Sequence, residues 1–348
     1  MKYLTNFRRN IFLVLTMLFL LFLFVGVGLS QDLNQQKQQK MNQVNEIDSK
    51  LKANPSPDEY DRLIKERKKI VAEIEDINKK LMADDAAMKK MAAVKKAFND
   101  GKNAFKLGQY TQALNLLNEA IAMDSTFYLA HYVKGLTLKK SRKFNEAISA
   151  YKATIRHNPS YIEAYIALGK LYSLMEMHDN AITTYNDAIA KDPSAYRVYY
   201  ELGVVYRNNK KNYKKAAENF TKATQINPEY DLAFYSLGVS LTELSRFDEA
   251  IMALENALAV TKRKRWADPY YRMAVVYNRQ GKFSQAKKAA VDALNIKKNY
   301  GAASYEAGIA SKNLGQIQTA KKYFEAAKQD RIWKKSAEYE IKLLTENR

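Results

Sequence analysis

The sequence predicts an all-α protein whose larger part is a regular internal repeat. Three observations carry that reading. Only 12 glycines and 6 prolines punctuate 348 residues, too few for the many turns of an all-β chain. Apolar residues make up 47%, which supports a sizeable core and excludes wholesale disorder. A glycine followed twelve residues later by an alanine recurs along most of the chain with a period of 34.

The first element is residues 1–30, with Lys2, Arg8 and Arg9, no acid, and an apolar run from Ile11 to Gly28. Two readings stay open. A signal peptide would use Ile11 to Val25 as its apolar region, with Gly28 and Ser30 before a cut ahead of Gln31. A single transmembrane anchor would use all of residues 11–28, just long enough to span and so to bring the membrane in as a partner. Either places the basic end in the cytoplasm and everything after it across the membrane, anchored, periplasmic or secreted.

Residues 31–95 read as a coiled-coil helical arm. Met41, Val44, Ile47 and Leu51 fall three and four apart. Beyond the segment NPSP, the series Tyr60, Leu63, Arg67, Ile70, Ile74, Ile77, Leu81, Met88 and Met91 continues that alternation with one gap. Ser56 and Glu59 form a capping-box pair, with Pro57 at the first helical position. The pattern predicts a first helix ending near Ala53 and rising ~33 Å, then a second of ~39 residues to Lys95 returning ~58 Å. An antiparallel hairpin is expected, acting either as a solvated spacer or as a homodimer contact through residues 32–95.

The repeat begins near residue 96. Gly101 precedes Ala113, Gly135 precedes Ala147, Gly169 precedes Ala181, Gly238 precedes Ala250, Ala274 precedes Ala286 and Gly308 precedes Ala320, each by twelve. Gly203 and Ala216 are thirteen apart, the extra residue falling in NNKKN, whereas Gly315 stands outside this register. Tyr110, Phe144, Tyr213, Phe247, Phe283 and Ile317 come three residues before their alanines. Pro159, Pro193 and Pro228 close three repeats, and Ser125, Lys262 and Lys298 take that place in others. Small residues let two helices approach closely, and a proline ends the second helix by removing an N–H donor.

This pattern resembles the tetratricopeptide repeat family across residues 96–330. The resemblance implies seven repeats, each of two antiparallel helices A and B, wound as a right-handed α-solenoid with the A helices lining a concave groove. In residues 331–348, Ile332, Trp333, Ala337, Ile341 and Leu344 at helical spacing look like the capping helix that covers the last apolar face.

The resemblance further implies a scaffold that recruits partner proteins or peptides, and the residues offer no competing chemistry. The absence of cysteine removes disulfides, thiolate metal sites and a cysteine nucleophile. His131, His157 and His178 are too scattered for a histidine metal cluster, and no phosphate loop or catalytic triad can be assembled. Neither enzymatic activity nor a metal or cofactor is expected.

In the family, the residue three places before each glycine (or Ala274) faces the groove. Here those residues are Phe98, Tyr132, Ile166, Tyr200, Tyr235, Tyr271 and Tyr305. Such a ladder of rigid, amphipathic rings suits an extended peptide or a helix. The same rings would equally serve packing between neighbouring A helices. Family members that bind acidic C-terminal tails clamp them with Lys and Asn on consecutive A helices. Phe98, Lys102, Tyr132 and Leu136 occupy those positions, so that clamp is missing.

Net charge is +20, and it is uneven: residues 262–298 hold eleven basic residues against Asp268 and Asp292. Lys262, Arg263, Lys264, Arg265, Arg272, Arg279, Lys287 and Lys288 form the expected basic patch. Its partner would be an acidic protein or, alternatively, anionic envelope polymers or lipid headgroups. A nucleic-acid partner would require a cytoplasmic protein and is the weakest of the readings.

Overall fold

The computed structural model describes residues 31–53, 55–82 and 85–346. The export or anchor segment, residues 1–30, therefore lies outside the described residues. Seventeen α-helices and no strands are found among the described residues, and none of those helices is long and apolar enough to cross a membrane. The chain divides into two compact units. One holds the residues up to Leu107 with Asn115–Ser125; the other holds Gly108–Leu114 and everything from Thr126 onward.

In the first unit, α1 (Gln31–Lys52) and α2 (Pro57–Met82) pack antiparallel. Lys40 pairs with Glu73 at 2.5 Å, and Arg67 Nε meets Asp48 Oδ1 at 2.7 Å, so positions climb on one helix as they fall on the other. Met41, Val44 and Ile47 of α1 bury against Leu63, Ile70 and Ile74 of α2. Arg67 interrupts this apolar seam because its guanidinium has the Asp48 carboxylate across the interface.

The second helix, expected to run ~39 residues, is described as α2 to Met82 and α3 (Asp85–Lys106), with residues 83 and 84 outside the described residues. The boundary expected between residues 95 and 96 consequently falls inside one continuous helix. Phe98, the first rung of the ladder, is buried within this unit, with Lys102 Nζ 5.4 Å from its ring centre. Helix α4 (Tyr110–Met123) is shared between the two units.

The second unit stacks six A/B pairs. They are α5/α6 (Tyr128–Lys140, Phe144–His157), α7/α8 (Ile162–Leu174, His178–Lys191), α9/α10 (Tyr196–Asn208, Tyr213–Ile226), α11/α12 (Asp231–Glu243, Phe247–Val260), α13/α14 (Asp268–Arg279, Phe283–Ile296) and α15/α16 (Gly301–Asn313, Ile317–Lys328). Each B helix packs on its own A helix and on the next one. The residue before each expected proline closes the B helix with a side-chain turn: Asn158 Oδ1 accepts from the Ser160 amide at 3.1 Å, Asp192 from Ser194 at 2.8 Å, and Asn227 from Glu229 at 3.0 Å.

The repeat glycines are explained by large side chains, mostly rings, sixteen or seventeen residues downstream. A Cβ at Gly135 would stand 2.6 Å from Tyr151, at Gly203 2.7 Å from Phe220, and at Gly308 2.5 Å from Phe324. Gly169 meets Tyr185 in the same way, and Gly238 meets Leu254. In the pair that lacks the glycine, Ala274 has Ala290 at that offset, both fully buried in one cluster. The alanines at twelve, from Ala147 to Ala320, are also fully buried, but it is the large side chain sixteen or seventeen residues on that makes glycine necessary.

Gly315 is in register after all, with the turn joining A to B. Gly281 and Gly315 have φ +71°, and Arg142, Glu176, Lys211 and Ser245 hold the equivalent left-handed position at +60°, +61°, +51° and +56°.

Helix α17 (Lys334–Glu346) caps the array: Trp333, Ala337, Ile341 and Leu344 pack on Ala320, Phe324, Ala327 and Tyr305. Ile332, expected in that cap, is instead 80% exposed, because its amide is tied to Asp330 Oδ1 at 2.9 Å in the turn before the helix starts.

Candidate functional site: the A-helix face

Consecutive A helices of the second unit touch one another, α5 to α7 and on to α15, whereas consecutive B helices make almost no contact. Crowding on the A side and opening on the B side bends this unit so that the A helices form its inner face. Tyr132, Tyr200, Tyr235, Tyr271 and Tyr305 stand along that face, each half-buried, while Ile166 is buried outright.

The rings are not free-standing. Tyr132 meets Tyr161 edge-on at 5.1 Å, Tyr200 meets Tyr230 at 5.1 Å, and Tyr235 lies 5.3 Å from Trp266. Tyr271 lies 5.4 Å from Tyr300, and Tyr305 lies 4.8 Å from Trp333. Each partner sits just ahead of the next A helix, so every rung joins two repeats. Burial pushes the phenols of Tyr132, Tyr271 and Tyr305 above the ordinary tyrosine range. Truncating a rung therefore removes packing as well as contact surface.

The expected basic patch is divided. Lys262 lies 3.4 Å from Glu229, and Arg263 lies 3.2 Å from Asp231 with its guanidinium 4.6 Å over the Trp266 ring. These contacts, with Thr261 Oγ1 donating to Asp231 Oδ2 at 2.7 Å, lay the long loop before α13 against α11. Lys264 and Arg265 are exposed in that loop. Arg279 pairs with Glu243 at 3.6 Å, Lys287 on α14 reaches Gln316 at 2.5 Å, and Lys288 is exposed on α14. Of the eight, Arg272 lines a pocket on the inner face.

There it joins Arg207, which the sequence reading passed over. Arg207 on α9 and Arg272 on α13 line a pocket of about 280 Å³, with Tyr235, Val239 and Glu243 of the intervening α11 and Lys211 of the α9–α10 turn. Arg272 Nε lies 3.4 Å from the Tyr235 hydroxyl, and Arg207 Nε donates to Asn208 Oδ1 at 3.0 Å. One repeat further, Asn278 Nδ2 donates to Glu306 Oε2 at 2.8 Å and to its backbone carbonyl at 3.0 Å. Burial raises the Glu306 carboxyl above the usual carboxylate range; the Asn278 hydrogen bond and the charges of Arg279 and Arg272 oppose that rise. Among the described residues no cluster of His, Cys, Asp or Glu could hold a metal.

Two family models match. Residues 267–300 match the tetratricopeptide repeat, and residues 175–257 match the model described as anaphase-promoting complex, cyclosome, subunit 3. No curated protein matches. Among solved structures, a tetratricopeptide repeat protein from Parabacteroides merdae is similar at 17% identity and TM-score 0.50, over 73% of this chain and 99% of its own. PilF of Pseudomonas aeruginosa is similar at 14% identity and TM-score 0.51, over 62% of this chain and 96% of its own. Residues 267–300 thus match the tetratricopeptide repeat itself, and the stacked helix pairs form an all-α solenoid similar in fold to these structures.

Proposed function

We propose that the chain is a non-catalytic protein-interaction scaffold, working on the exported side of a membrane, whose A-helix face holds a segment of a partner protein. The observation that carries this reading is the continuous inner face, where half-buried tyrosines run from Tyr132 to Tyr305 and a pocket opens among three consecutive A helices. Tetratricopeptide repeats serve as protein-interaction scaffolds, which agrees with it. The export half of the proposal is supported by the composition of residues 1–30 alone. The hairpin buries its own seam residues, which favours a spacer over a dimer contact.

The alternative is a binder of anionic envelope polymers through the sixth repeat. It has less support, because several of those basic residues already face Glu229, Asp231 or Glu243 and do not share one surface.

Val239→Trp tests the groove. It fills the pocket without altering a ladder tyrosine, and it should sharply reduce partner capture from native membranes. Met252→Trp, at an exposed position on the B-helix side, should leave capture unchanged. Equal capture by both variants contradicts the groove. For export, a C-terminal reporter that functions only in the cytoplasm should be silent, and activity there contradicts that half.

A further inference from the structure

Three consecutive B-to-A junctions adjoin at one edge of the second unit: the loop before α13, the turn before α15 and the turn before the capping helix α17. Two contacts join them. Tyr300 donates its hydroxyl to Asp268 Oδ1 at 2.6 Å, linking the first junction to the second. Asp330 fills the space that a side chain at Gly301 would need, linking the second to the third.

The acids of this edge are held by the junctions themselves. Glu229 and Asp231 fasten Lys262 and Arg263, Asp268 accepts from Tyr300, and Asp330 Oδ1 accepts from the Ile332 amide at 2.9 Å. Six cations are left over. Lys264, Arg265, Lys298, Arg331, Lys334 and Lys335 are all exposed, and among the described residues none of them forms an ion pair. Lys264 and Arg265 belong to the basic patch expected from the sequence; the other four come from the next two junctions. Between Arg331 and Lys334 stands Ile332, 80% exposed. Its turn is fixed, because the Trp333 amide donates to the Asp330 carbonyl at 3.0 Å and the Trp333 ring lies 4.8 Å from Tyr305. The isoleucine is held outward.

Like charges gathered on one edge repel one another, and the repulsion is relieved when a surface of opposite charge approaches. These cations, four of them lysines, are spread along an open edge and do not converge as forks on a single carboxylate. They match a diffuse sheet of negative charge. An apolar side chain raised among them gains by leaving water for the boundary between headgroups and acyl chains.

We propose that this edge docks on an anionic lipid surface, with the six cations at headgroup level and Ile332 inserted between the headgroups. The docking leaves the A-helix face open and is independent of the groove reading.

The chain has no cysteine, so an environment-sensitive fluorophore can be placed at one chosen residue of the full chain. On Ile332→Cys the label should shift to the blue with vesicles of equimolar phosphatidylcholine and phosphatidylglycerol, and stay unshifted with phosphatidylcholine alone. On Met252→Cys, on the B-helix side, it should shift with neither. Reading one residue separates the edge from any insertion of the apolar run in residues 1–30, which does not depend on lipid charge.

In the chain labelled at 332, the ratio of docked to undocked label is followed over a salt series. Lys264→Gln, Arg265→Gln and Lys298→Gln together should lower it on the order of tenfold or more, since each cation at an anionic surface contributes separately. Lys152→Gln, Lys214→Gln and Lys222→Gln, exposed on α6 and α10, remove the same charge and should change it by less than about threefold, the scale of screened charge outside the contact. Val239→Trp should leave it unchanged, and melting curves confirm that each variant is folded. A shift with phosphatidylcholine alone, an equal shift at residue 252, or equal losses in the two triple variants overturns the proposal. A label at 332 that responds to double-stranded DNA or polyglutamate but not to anionic vesicles also overturns it, and assigns the edge to nucleic acid or to acidic protein.

Discussion

The ring of Tyr185 occupies the space that a side chain at Gly169 would need. This relationship recurs down the array, and it sets a stability prediction. Gly169→Leu should destabilise by ~1–3 kcal/mol through overpacking. Adding Tyr185→Ala to Gly169→Ala recreates the Ala274–Ala290 arrangement found two repeats before the cap. The pair should therefore couple favourably by ~1 kcal/mol in a double-mutant cycle followed by urea midpoints. Strict additivity would mean that the two positions do not share one space.

The A-to-B turns give a second prediction. Arg142, Glu176, Lys211 and Ser245 sit in the left-handed region where Gly281 and Gly315 sit without strain. Arg142→Gly and Glu176→Gly should each stabilise by about 0.5–1 kcal/mol, the relief of Cβ strain less the entropy of a looser unfolded chain. Gly315→Leu, although nothing lies within 4 Å of its Cβ, should destabilise by ~1 kcal/mol for the same backbone reason. Thermal and urea midpoints measure both.

Glu306 predicts a pH dependence. Its carboxyl is raised in the folded protein by burial, so between the ordinary carboxylate range and the raised one the native state binds more protons than the unfolded state. Stability should therefore fall as pH rises through that window. Glu306→Gln should abolish that fall and be the more stable protein at neutral pH. An unchanged pH profile in the variant would show that the carboxyl is not desolvated as described.

The ladder predicts a cost to truncation. Tyr305 packs between Phe324 at 5.6 Å and Trp333 at 4.8 Å. Tyr305→Ala should lose about 2–3 kcal/mol and loosen the cap, whereas Tyr305→Phe should be nearly neutral because the ring contacts persist. Hydrogen exchange of α17 reads the loosening.

Much of this architecture was legible in the sequence because repetition amplifies weak signals. Gly135 or Gly169 alone is an odd glycine in a helix; in series they mark the close face of each A helix. The reason for the glycine was less legible, since its partner sixteen residues on is Tyr, Phe, Leu or Ala by turns and carries no fixed letter. The left-handed turns were hidden likewise, four of them being Arg, Glu, Lys and Ser.

Arg207 could not be found by spacing. Its partners Tyr235 and Arg272 come from two later repeats, and only the stacking of α9, α11 and α13 makes them neighbours. The run from Lys262 to Arg265 shows the opposite failure: a strong signal in letters, resolved in space into a loop fastened by Asp231 and Trp266.

The central claim is that the partner lies on the inner face, and site-specific photo-crosslinking tests it most directly. A photoreactive side chain at Val239, on the inner face, should yield a crosslinked partner peptide in the native host. The same group at Met252, on the B-helix side, should yield none. Crosslinks from Met252 without any from Val239 would contradict the account.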